Sequence, residues 1–183
     1  MREHVNLPNT VTSVSLAAGF ATLLVASAQV ALATVLVVIA AGLDGIDGAL
    51  ARRRDGDRTF GAQLDSLADL LCFCVVPAFT LQQAVQQDMP SVGSVVSGGF
   101  VLAGAWRLAR FALKQQPGHF VGLPTPVAGI VLMLLVLWAP AIAALLGSVF
   151  LSVLMASSLR VPTVPTAAAV ARPGQRGQRQ NRR

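Results

Sequence analysis

The sequence predicts an all-α integral membrane protein of about six transmembrane helices, and three observations carry that expectation. Hydrophobic residues fill 54% of the 183 positions, and the mean hydropathy is +0.65. Charged residues contribute only 12%, against roughly 25% in soluble domains. The fourteen lysines and arginines gather in five places: Arg2; Arg52, Arg53, Arg54 and Arg58; Arg107, Arg110 and Lys114; Arg160; and the stretch Arg172–Arg183. When the gaps between apolar segments are numbered, all five fall on one side. The opposite loops, near 27–29, 82–91 and 138–141, hold no positive charge, and Asp88 is their one charged residue. By the positive-inside rule both termini and the basic loops face the cytoplasm of a multi-pass cell-membrane protein.

The net charge of +6 is therefore charge laid on one membrane face. Anionic lipid headgroups or an anionic substrate account for it better than nucleic acid does. No basic-aromatic interleaving of the kind used by single-strand binders is present.

In chain order, Asn6-Leu7-Pro8-Asn9 opens the first span, from about Thr10 to Ala26, with Asn9 in the position of an N-cap. The second runs from about Val30 to Leu50. The Arg-rich turn after it has Gly56 as its breaker. The third covers about Phe60–Leu81 and carries Cys72 and Cys74, which read as small packing residues. Pro90 leads into a fourth span ending at Lys114, where Arg107, Arg110 and Lys114 form one basic stripe. A fifth covers about Thr125–Trp138 and a sixth about Ala141–Leu159. Residues 1–160 thus read as one transmembrane domain. Residues 161–183, rich in Pro, Ala, Gly, Gln and Arg, read as a disordered basic cytoplasmic tail.

The chemistry is concentrated in residues 44–69. Asp44 and Asp47 lie three apart in the second span, and Asp65 and Asp69 four apart in the third. Each spacing puts a pair of carboxylates on one helical face. Both pairs lie near the cytoplasmic ends of their spans. Acids at membrane depth are costly and by default functional. Four converging carboxylates repel one another unless cations intervene, and all-oxygen ligands favour Mg, Mn or Ca over Zn or Cu. Two such cations suit a diphosphate substrate. Arg52, about one turn beyond Asp47, is placed to reach a phosphate oxygen. Gly48, Ala51 and Gly61 leave room for a ligand to approach the helices.

The pattern Asp44-x-x-Asp47-Gly48-x-x-Ala51-Arg52, eight residues, Gly61-x-x-x-Asp65-x-x-x-Asp69 resembles the complete signature of the CDP-alcohol phosphotransferases. That resemblance implies a six-helix, homodimeric bundle and two divalent cations, Mg or Mn. It implies Asp44, Asp47, Asp65 and Asp69 as metal ligands, with Asp69 also the catalytic base. Gly48, Ala51, Arg52 and Gly61 would contact CDP, joined by Asn9 and Thr12. Within the family, the stretches Leu7–Thr12, Phe60–Asp69, Arg107–Phe111, Gly122–Pro126 and Leu154–Arg160 resemble the integral-membrane bacterial phosphatidylserine synthases. Two positions depart from that pattern: Ala112 stands where Asn is usual, and Cys74 where Gly is usual.

The implied reaction is transfer of a phosphatidyl group from CDP-diacylglycerol to L-serine, releasing CMP, at the cytoplasmic side of the membrane. Arg107, Arg110 and Lys114 are the acceptor-site candidates. An alternative keeps the chemistry but uses glycerol 3-phosphate, inositol phosphate or an archaeal-type CDP-lipid donor. A second alternative, from another class, is a cation transporter. Against it stands the position of all four acids near one membrane face, because transport sites lie near the midplane.

Overall fold

The computed structural model describes residues 7–51, 58–113, 120–121, 123–157 and 160–161, with side chains over 12–44, 60–110 and 123–157. Helix α1 spans Leu7–Ala26 and α2 spans Val30–Ala51. A long central rod follows, built from α3 (Arg58–Leu70), a π-helical turn (Leu71–Val75) and α4 (Val76–Val85). Then come α5 (Pro90–Leu113), α6 (Thr125–Trp138) and α7 (Ala141–Ala156). A two-residue antiparallel pair, β1 (Phe120–Val121) with β2 (Arg160–Val161), ties the connection before α6 to the chain after α7. The expected tail from residue 161 thus begins with a paired residue; residues 162–183 lie outside the described residues.

Helix α1 begins at Leu7, one turn earlier than expected, so Asn9 sits inside the first turn and is not the N-cap. Pro8 accounts for the difference, since its fixed φ and missing N–H suit the first helical positions.

The π turn was not anticipated, and Pro77 supplies its cause. Proline cannot donate to the carbonyl four residues back, that of Phe73, and its ring crowds that carbonyl. The chain widens by one residue instead, and the Val76 N–H bonds to the Leu71 carbonyl. Three consecutive side chains, Cys72, Phe73 and Cys74, become buried as a result.

That turn is the spine of the bundle. On one side Cys72, Phe73 and Val76 pack with Ala26, Ala33 and Val37 of α1 and α2 and with Met133 of α6. On the other, Cys74, Ala78, Leu81 and Val85 pack with Phe100 of α5, Leu132 of α6 and Met155 of α7. Glycines let the neighbours close in. A Cβ at Gly19 would lie 2.6 Å from Cys72 Sγ, one at Gly104 would collide with Cys74 Sγ, and one at Gly129 would strike the Phe73 backbone. Both cysteines are free and buried, as packing residues should be.

Among the described residues the chain is helical apart from that short pair and the brief connections between helices, such as 27–29, 86–89 and 139–140. Two stretches, Phe60–Val85 and Pro90–Arg110, are each long and apolar enough to cross a membrane. Outward faces carry large apolar groups, among them Val95 at 76% and Leu146 at 67% exposure. Such a surface suits lipid and would be a liability in water.

Candidate active site

Helices α1, α2 and α3 enclose a cavity that opens beside the π turn. Thr12 and Ser15 line it from α1, Ala40 and Asp44 from α2, and Asp65 and Asp69 from α3. Ala68, Cys72 and Phe73 close the wall between the last acids and the π turn. Three of the four carboxylates, Asp44, Asp65 and Asp69, line this one cavity, and one helical turn separates Asp65 from Asp69. Asp69 lies within electrostatic reach of Asp44, Asp65 and Arg107. The Cys72 thiol donates to the Ser15 carbonyl at 3.7 Å, a weak bond that ties the α1 wall to the turn.

Asp47 lies one turn beyond Asp44 on α2, within the same helix as Gly48 and Ala51; the side chains of these residues, and that of Asn9, lie outside the described ones. Gly61 stands in the first turn of α3. Arg52 and Lys114 are outside the described residues. Among the described residues no three acid, histidine or cysteine side chains are gathered closely enough to hold a metal ion as they stand. The donors that line the same cavity, Asp44, Asp65 and Asp69, are oxygen-only and of the kind that suits a hard cation.

The basic stripe on α5 divides. Arg107 turns toward α6 and donates from Nη1 to Thr125 Oγ1 at 3.3 Å. Arg110 donates from Nη2 to the Ala156 carbonyl at 2.8 Å, at the carboxyl end of α7. A cation there satisfies an orphan helix carbonyl and matches the negative pole of the helix dipole. Arg110→Ala is accordingly expected to cost about 1 kcal/mol of stability, read as a lower melting temperature, with the KM for the acceptor little changed.

Sequence reasoning missed Ser15, Cys72 and Thr125 as parts of this region. Thr125 had a signal, because it stands within the Gly122–Pro126 stretch that carries part of the family resemblance. Cys74, where the family pattern has Gly, finds its space above Gly104. The side chain of Ala112 is outside the described residues.

A family model for CDP-alcohol phosphatidyltransferase matches residues 5–164. The chain belongs to the CDP-alcohol phosphatidyltransferase family, a class of transferases. It is 36% identical over 168 residues to the CDP-diacylglycerol–serine O-phosphatidyltransferase of Helicobacter pylori, covering 85% of this chain and 71% of the relative. It is 32% identical over 121 residues to the enzyme of the same name from Bacillus subtilis, covering 66% of this chain and 68% of the relative. The archaetidylserine synthase of Methanothermobacter thermautotrophicus is 31% identical over 166 residues, 87% of this chain and 71% of that protein.

Proposed function

We propose that the protein transfers a phosphatidyl group from CDP-diacylglycerol to L-serine, giving phosphatidylserine and CMP. The observation that carries this reading is the cavity lined by Asp44, Asp65 and Asp69, with Arg107 in electrostatic reach of Asp69. Serine as the acceptor is supported by the printed names of the bacterial relatives.

In this reading Asp69 takes the proton of the acceptor hydroxyl. The freed oxygen attacks the lipid-side phosphorus, the bond from that phosphorus to the CMP oxygen breaks, and CMP leaves. Thr12, Gly48, Ala51, Arg52 and Gly61, with Asn9, hold the CDP group, and Thr12 already faces the cavity. Asp44, Asp47, Asp65 and Asp69 would hold two Mg or Mn ions, whose chemistry is to neutralise the diphosphate. Arg107 is the acceptor-side cation, and Arg110 and Lys114 extend positive potential toward the cytoplasm.

All six helical rods would cross the bilayer, with both termini and the cavity at the cytoplasmic face. Two tryptophans support the spanning arrangement: Trp106 and Trp138 are 69% and 82% exposed, one near the basic end of α5 and the other at the far end of α6. Such residues favour membrane interfaces. The homodimer belongs to the same proposal, as does the basic tail lying on anionic lipid.

The test is CMP release by the purified protein in detergent, given CDP-diacylglycerol and Mg or Mn. L-serine, glycerol 3-phosphate and inositol phosphate are supplied in parallel. Release with serine alone is the expected result. Release only with a phosphorylated alcohol would overturn the acceptor assignment, and no release from folded protein would overturn the reaction.

A further inference from the structure

The environment of Arg107 is incomplete. Its Nη1 donates to Thr125 Oγ1, while its Nε is buried and has no hydrogen-bond partner among the described residues. An unpaired buried donor on a charged group is costly, by more than the worth of a typical hydrogen bond. Thr125 is the first residue of α6 and 1% exposed. The amino end of a helix is the positive pole of its dipole, so stability alone does not recommend a guanidinium there. Arg110, three residues on, has the opposite circumstances, a carboxyl helix end and a satisfied bond. Arg107 and the α6 terminus together call for an anion.

The covalent shape of the guanidinium says how that anion docks. Nη1 lies on the side of the Arg stem. Nε–H and one Nη2–H run parallel along another edge, which takes a carboxylate through two hydrogen bonds. By holding Nη1, the Thr125 hydroxyl fixes the rotation of the plane and so the direction of that edge. Asp69 is within electrostatic reach of the same guanidinium.

We infer that Thr125 is a positioning residue for the acceptor: it orients Arg107 so that the Nε/Nη2 edge receives the carboxylate of an amino-acid alcohol. This rests on the serine reading above. An alcohol of similar size without a carboxylate would leave Nε unpaired and be rejected on that ground.

The experiment is steady-state kinetics of the full chain in detergent, comparing wild type, Thr125→Val and Thr125→Ser with L-serine and with serinol. Thr125→Val keeps the shape but removes the oxygen, and is expected to raise the KM for serine roughly tenfold. The KM for CDP-diacylglycerol should stay unchanged. Thr125→Ser restores the oxygen and should recover the wild-type KM, while serinol should be a poor acceptor for all three. Equal damage to both KM values, or failure of Thr125→Ser to rescue while the protein melts normally, would overturn the inference and leave Thr125 a packing residue. If wild type were to use only a phosphorylated alcohol, the serine reading and the carboxylate assignment made here would both be overturned. The same two variants on that acceptor would then decide whether Thr125 orients Arg107.

Discussion

Asp69→Asn is expected to reduce CMP release by roughly 10³-fold or more, because a general base alone contributes 10²–10⁴-fold and the same oxygen is offered as a metal ligand. The replacement keeps the size and planarity of the side chain, so the walls of the cavity stay where they are. What it removes is the charge. Burial and the charges of Asp44 and Asp65 disfavour the Asp69 carboxylate more than Arg107 favours it, so removing its charge relieves a poorly solvated site. In metal-free buffer the variant should therefore melt at the same temperature as wild type, or higher. That combination, activity lost and stability kept, separates a chemical role from a structural one. Ser66→Ala is the matched control on the same helix: its hydroxyl only bonds back to the Ala62 carbonyl at 2.9 Å, and turnover should be unaffected. A loss of less than tenfold in Asp69→Asn, with melting unchanged, would remove Asp69 from the chemistry.

Much of this arrangement was legible because it is periodic. The carboxylate spacings of three and four translate directly into shared helix faces, and apolar runs bounded by Pro, Gly and charge gave rod boundaries close to those observed for α2, α6 and α7. The features that escaped are set by contacts between rods, for which a linear pattern holds no period. The π turn depends on Pro77 and on what packs beside it. The partners of Arg107 and Arg110 lie 18 and 46 residues away. The β1–β2 pair joins residues on either side of two helices. The early start of α1 is different in kind, since its cause, the preference of Pro8 for the first helical turn, is local to the sequence.

The close fit at the π turn yields the second large effect. A Cβ at Gly129 would stand 2.5 Å from the Phe73 carbonyl oxygen and 2.9 Å from Phe73 Cα. Neither atom is the end of a flexible side chain, so α6 and the turn must separate. Overpacking of this kind costs about 1–3 kcal/mol. The consequence for activity is larger than for stability, because Phe73 is four residues after Asp69 on the same continuous rod. Displacing a catalytic group by about 1 Å can cost roughly 10²-fold in rate. Gly129→Ala is thus expected to lower both the melting temperature and turnover. Gly98→Ala is the contrast, since its Cβ would meet nothing within 4 Å and the change should be neutral or stabilising by about 0.4–1 kcal/mol. If Gly129→Ala melts lower yet turns over normally, α6 yields without moving α3, and the π turn insulates the acids from the core. If both variants behave alike, the close approach of α6 to Phe73 is not what holds Asp69 in the cavity.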